Sequence, residues 1–189
     1  MEAGQLAKQE QDGWLRLEGQ FRKVGWSIGG LMLIAPLVAM QFTEEVDWNA
    51  GDFVFAALLI GGTGGLYELA ARTTSGIAYR FGVGVALGAA FLTIWLSGAV
   101  GIIGSEDEPL NQLYVLLLPA VVIGALVANF KARRMAWVMT AAAIGQMVIA
   151  VIALFFGYFT LPLNAIFAAI WMLSAWLFRK AAEHSPRAE

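Results

Sequence analysis

The chain has 189 residues, of which 59% are hydrophobic and only 14% charged, with a formal net charge of −2. That apolar content is more than a water-soluble domain of this size tolerates, and the polar segments between apolar runs are short, so a soluble catalytic or nucleic-acid-binding domain is excluded. Cysteine is absent and the single histidine, His184, lies in the C-terminal tail, which removes disulfides, thiolate ligation, cysteine nucleophiles and any paired-histidine haem or zinc site within one chain.

Residues 1–23 form a polar arm of mixed charge without the character of a cleaved signal peptide. Its 13–23 stretch interleaves Trp14, Leu15, Leu17 and Phe21 with Arg16, Glu18 and Arg22, a pattern suited to a short amphipathic segment along the membrane interface, although Gly13 and Gly19 weaken it. The first apolar run, 24–41, is just long enough to cross about 30 Å of hydrocarbon at about 1.5 Å per residue. Pro36 should bend it. Phe42-Thr43-Glu44-Glu45 follows instead of a small-residue cleavage site, so the run is expected to be retained as a signal anchor. The next link carries Glu44, Glu45, Asp47 and Asp52 beside Trp48.

The second run, 53–71, is centred on Gly61-Gly62-Thr63-Gly64-Gly65. In an apolar segment of this length the glycines predict a helix that meets a neighbour closely, with Gly61 and Gly65 as a small-xxx-small pair; a broken or re-entrant helix is the alternative. The third run, 81–104, has a second close-packing pair in Gly84 and Gly88, and a Trp95 too deep to be a simple interface anchor. The link after it is acidic (Glu106, Asp107, Glu108), with Pro109 placed for the first turn of the next helix. The fourth run is 112–130, with a bend expected at Pro119, and the fifth and sixth are 135–159 and 163–178. The short uncharged link at 158–162 predicts a tight antiparallel hairpin, and the tail, 179–189, is expected to be disordered.

All twelve basic residues fall in alternate links: Lys8, Arg16, Arg22 and Lys23; Arg72 and Arg80; Lys131, Arg133 and Arg134; Arg179, Lys180 and Arg187. By the positive-inside rule this predicts an all-α integral membrane protein, a six-transmembrane bundle of three antiparallel hairpins with both termini in the cytoplasm.

Glu68 is the first residue to consider for chemistry, because ionisable groups inside a span are expensive to bury. Arg72 lies one turn further on, so an interfacial ion pair is one reading; proton or cation coupling and a polar ligand contact are the others. Gln146, Asn129, Thr63 and Trp95 complete the ligand or ion pathway candidates. Gln146 should face another helix, since an unpaired amide in lipid is costly. The second candidate is an outer acidic cluster of Glu44, Glu45, Asp47, Asp52, Glu106, Asp107 and Glu108, with Asn111 beside it. Anionic outer loops follow from topology alone. They could also attract divalent cations weakly or build a defined metal site, although no calcium-loop spacing is present.

The stretch Gly101-Ile102-Ile103-Gly104-Ser105-Glu106-Asp107-Glu108-Pro109-Leu110-Asn111, together with Tyr67-Glu68-Leu69 and the span layout, resembles small uncharacterised multi-spanning proteins of bacterial inner membranes. The resemblance implies that location and brings no activity, substrate or cofactor with it. It singles out the Ser105 to Asn111 loop, because topology requires only a polar turn there. The sequence leaves three functions open. The first is a non-enzymatic protein that associates with itself or another membrane component. The second is a small oligomeric transporter or channel for a cation or small solute, using Glu68. The third is a metal-dependent membrane enzyme at the outer acidic face. The lipid bilayer is the one partner common to all three, nucleic acid is a partner in none, and no cofactor beyond the weak cation attraction is predicted.

Overall fold

The computed structural model describes residues 2–74, 76–105 and 107–183. They form six α-helices: α1 (Glu2–Ala39), α2 (Ala50–Thr73), α3 (Ile77–Ala99), α4 (Gln112–Val127), α5 (Ala132–Phe155) and α6 (Leu161–Glu183), with one 3-10 turn at Pro109–Asn111 leading into α4. Five helical segments, Ala50–Arg72, Ile77–Ala99, Pro109–Val127, Ala132–Phe155 and Leu161–Glu183, are long and apolar enough to cross a membrane. The chain is a multi-spanning helical membrane protein. Its contacts separate it into two compact units, Met1–Leu66 and Tyr67–Glu189.

In the first unit α1 is continuous from Glu2 to Ala39, so the arm and the first apolar run share one helix rather than a short segment followed by a span. Neither Gly13 nor Gly19 interrupts it, and Pro36 falls in its last turns. The apolar part within the helix, from Val24 to Ala39, rises only about 24 Å. Its contacts with α2 use positions that lack side chains: a Cβ on Gly29 would lie 2.7 Å from Ile60 Cγ2, and one on Gly64 would lie 2.8 Å from the Trp26 indole. The glycine-rich centre of α2 is helical throughout, as expected where close approach and not chain reversal requires the glycines.

The start of α2 is closed by a reciprocal cap. Asn49 Oδ1 accepts from the backbone amides of Gly51 (2.7 Å) and Asp52 (3.3 Å), and Asp52 Oδ2 accepts from the Asn49 amide (2.8 Å). Trp48 and Phe53 meet edge-to-face at 5.2 Å across the same turn. This is a capping box with a hydrophobic staple, and it answers two of the amides a helix start leaves unpaired.

The second unit is built around α6, which packs along both α5 and α3, while α4 lies on α5. The buried face of α6 comprises Asn164, Phe167, Ala168, Trp171, Ser174, Ala175, Phe178 and Ala181, a helical stripe. Alanines on the facing helices, Ala89, Ala136, Ala142 and Ala143, let the backbones approach Trp171 and Phe178. Phe178 lies against the bare face of Gly82, within 3.4 Å of a would-be Cβ, and meets Tyr79 edge-to-face at 5.0 Å. Ser174 Oγ donates to the Gly82 carbonyl at 2.8 Å, so the same glycine receives a ring and a hydroxyl.

Helices α1, α3, α4 and α5 end before the apolar runs that predict them, α3 and α5 by the most. α3 ends at Ala99 because Gly101 (φ 74°) and Gly104 (φ 63°) turn the chain over the end of the bundle, and α5 ends at Phe155, with Gly157 (φ 89°) beginning the reversal. At the opposite end, Asn129 (φ 52°) and Phe130 (φ 55°) adopt the left-handed region between α4 and α5. Tyr79 Oη donates to the Phe130 carbonyl at 2.7 Å and holds this turn to the start of α3. The sequence predicts disorder over 179–189, but α6 continues through Lys180 to Glu183; residues 184–189 lie outside the described residues.

Truncating Phe178 should leave a cavity between α3 and α6 that alanine-lined helices cannot close. Phe178→Ala is expected to lower unfolding free energy by about 3–5 kcal/mol, measured by denaturing-detergent titration of the purified protein.

Candidate functional site

Buried polar groups gather at the α5–α6 hairpin end of the second unit, beneath the link between α3 and α4. The organising residue of that link is Asn111, which is 6% exposed. Its Oδ1 accepts from the amides of Ile102 (3.2 Å) and Ile103 (2.9 Å), and its Nδ2 donates to the carbonyls of Ile103 (3.0 Å) and Ser105 (2.7 Å). An asparagine amide has two acceptor and two donor positions, and all are used. Ile102 and Ile103 are thereby folded inward onto Tyr114, Ile149 and Ala153.

The rim of the link is tied to the hairpin. Tyr158 Oη donates to Glu108 Oε2 at 2.6 Å, and Gly104 is bare where a Cβ would come within 2.9 Å of the Tyr158 ring. Gly104 therefore meets two requirements that alanine cannot, a left-handed φ and a ring in van der Waals contact. The Tyr158 hydroxyl is held protonated above the ordinary tyrosine pKa of 10.0, first by the hydrogen bond to Glu108, then by burial and by the Glu108 charge.

Under this cap lies a cluster of neutral polar groups. Asn164 Oδ1 accepts from Tyr114 Oη and from Gln146 Nε2, both at 2.9 Å, and its Nδ2 donates to the Thr160 carbonyl at 3.0 Å. Tyr114 is 1% exposed and both amides 0%. Gln146 Oε1, Thr160 Oγ1 and Trp171 Nε1, all buried atoms, have no hydrogen-bond partner among the described residues. The bonded cluster offers amide and phenol groups. Its chemistry is hydrogen bonding to a neutral group, not acid–base work at neutral pH.

Of the residues the sequence singles out, the structure brings Gln146, Asn111 and Glu108 to this end of the second unit. Gln146 does face another helix, through Asn164. Thr63 lies in the first unit, where its hydroxyl donates to the Leu59 carbonyl one turn back, at 2.7 Å. Trp95 stacks on Phe91 with ring centroids 5.7 Å apart. Asn129 is an exposed turn residue. Glu68 is half-buried and Arg72 exposed, both in the closing part of α2. Of the acidic residues, Asp52 serves as the α2 cap, Glu44, Glu45 and Asp47 lie exposed in the same first-unit link, Asp107 is exposed in the second unit, and Glu106 lies outside the described residues. Among the described residues no group of three or more histidine or carboxylate side chains is disposed to hold a metal ion.

Asn164, Tyr114 and Tyr158 were not singled out from sequence. The signal for Asn164 was an amide within an otherwise apolar helix start, Leu161-Pro162-Leu163-Asn164-Ala165-Ile166. For Tyr114 and Tyr158 the sequence carries no signal that separates a buried hydrogen-bonding tyrosine from one at a membrane interface.

A second feature is a notch on α2. Gly61, Gly62 and Gly65 are exposed, and a Cβ added to any of them meets nothing within 4 Å among the described residues. Leu58, 71% exposed, lies on the same helix face one turn before it. The chain matches no protein-family model, no curated protein and no solved structure.

Removing the Asn111 amide leaves the buried Ile102 and Ile103 amides unpaired. Asn111→Ala should destabilise the second unit by about 3 kcal/mol and accelerate hydrogen exchange at residues 102–105, read by mass spectrometry. For Tyr158 the folded pKa lies above the unfolded one, so its contribution is present below about pH 10 and lost as pH rises through the folded value. Phenolate absorbance should show a transition above pH 10 that disappears in Tyr158→Phe and moves down in Glu108→Ala. A Tyr158 transition unchanged by Glu108→Ala would refute the pairing.

Proposed function

We propose that this chain is a non-enzymatic, six-span protein of a bacterial inner membrane that associates with a second copy of itself through α2. The observation carrying this reading is the contrast between the glycines of the first unit. Gly29 and Gly64 are each filled by a neighbouring side chain, whereas Gly61, Gly62 and Gly65 form an open notch. Each glycine in a helix costs about 1 kcal/mol relative to alanine, and in lipid that cost is offset where another backbone enters the space. Gly61 and Gly65, one turn apart, suit a self-complementary contact about a two-fold axis.

Counting α1 as the sixth span is supported by charge. With five spans, Lys8, Arg16, Arg22 and Lys23 would stand on the opposite side of the membrane from Lys131, Arg133 and Arg134. With six, all basic links share the cytoplasmic side. The transport reading through Glu68 and the metal-dependent reading at the acidic face have no comparable geometric support.

Because the chain lacks cysteine, the association can be tested cleanly in native membranes. Gly61→Cys should give a dimer with a short bis-maleimide, and adding Gly65→Leu should reduce that dimer about tenfold, the factor set by losing about 1.4 kcal/mol of packing. The helical circular dichroism and monomer stability should be unchanged, and Glu68→Gln should leave cross-linking intact. A Gly61→Cys protein that stays monomeric at all reagent concentrations would refute the proposal.

A further inference from the structure

The cluster under the 100–111 link has more hydrogen-bonding capacity than its own members use. We propose that Gln146, Asn164, Thr160 and Trp171 form a binding site inside the second unit for a small neutral hydroxyl compound, supplied either as trapped water or as a polyol.

The orientation of the amides is fixed by their neighbours. Asn164 Oδ1 receives both the Tyr114 hydroxyl and Gln146 Nε2, filling its two acceptor positions, while Asn164 Nδ2 is engaged by the Thr160 carbonyl. Gln146 must therefore present nitrogen to Asn164, and its Oε1 points elsewhere with both lone pairs free. That atom is an unpartnered acceptor on a side chain 0% exposed. Trp171, also 0% exposed, supplies an unpartnered donor, and Thr160 Oγ1 supplies a group that can do either. Asn164 and Trp171 share the buried face of α6, two turns apart.

The chemistry of the occupant follows from this set. It must donate to Gln146 Oε1 and accept from Trp171 Nε1–H, and a hydroxyl does both. It must be neutral, because none of the residues of the cluster carries a charge and an unpaired ion in such surroundings is prohibitively costly. It must be small, because the surrounding α5 and α6 faces are close-packed alanine, phenylalanine and tryptophan. Left without such a group, three buried polar atoms would each forfeit the hydrogen bond they make with water in the unfolded chain. Ordered water is the commonest solution to that problem, and a hydroxylated solute presents the same atoms.

The test uses the full chain, ¹⁵N-labelled in detergent micelles, where its seven tryptophans give seven indole N–H signals and Trp171→Phe assigns the relevant one. Trapped water predicts a cross-peak between the Trp171 indole proton and a long-lived water without any additive. A polyol site predicts a saturable shift of that signal on titration with glycerol, with the exposed tryptophans unmoved. Either result supports the site and distinguishes its occupant. Gln146→Met should abolish the water cross-peak or raise the half-saturating glycerol concentration about tenfold, the weight of one buried hydrogen bond. Thr160→Val, which preserves shape, gives the same reading if the Gln146 variant does not fold. A Trp171 signal with neither a water cross-peak nor a saturable shift overturns the proposal. So does a glycerol response shared by the exposed tryptophans, or one indifferent to both variants.

Discussion

A bilayer supplies no hydrogen bonds, so every polar group that enters it must find a partner within the protein. In this chain side-chain amides meet that requirement at three places. Asn49 closes the start of α2, Asn111 replaces the missing backbone partners of residues 102–105, and Asn164 joins α4, α5 and α6. An amide suits all three places because it donates and accepts at once without carrying charge. The irregular segment between α3 and α4 can be as apolar and as buried as it is, with Ile103 fully enclosed, because Asn111 takes over what water would otherwise do.

The second unit follows from that arrangement. With the link folded inward, Tyr114 and Ile149 are covered, and the hairpin of α5 and α6 can close beneath it through Tyr158 and Glu108. Further along, packing takes over from hydrogen bonding. Gly82 accepts the Phe178 ring against its bare face and the Ser174 hydroxyl at its carbonyl, so one residue without a side chain serves two contacts. The first unit uses glycine in the same way at Gly29 and Gly64, but leaves Gly61, Gly62 and Gly65 open.

Much of this architecture is legible from the order of residues. Runs of apolar sequence and their flanking charges predict the helices, and a helix through the glycine-rich centre of α2 follows from its apolar surroundings. The ends of helices are less legible. Apolar residues continue through Val100-Gly101-Ile102-Ile103 although the helix does not, because the turn is buried and its polarity is supplied from eight residues away by Asn111. The capping box at Asn49 and Asp52 was readable, with Trp48 and Phe53 placed to staple it, but the acidic character of the link drew Asp52 into a cluster instead. Gln146 could be recognised as needing a partner, whereas Asn164 could not be identified as that partner. Spacing along one helix carries no information about the rotation of the next.

The central position of α6 also bears on how the protein is made. α3, α4 and α5 are synthesised before it, yet the Gly82 carbonyl awaits Ser174, and Tyr114 and Gln146 await Asn164. Until α6 enters the membrane, these earlier helices hold polar groups without their final acceptors or donors and an alanine-lined groove without its occupant. The polar groups of α3, α4 and α5 thus reach their final pairing only once α6 is in place, and a chain that ended before α6 would expose the amide and phenol that the finished protein conceals.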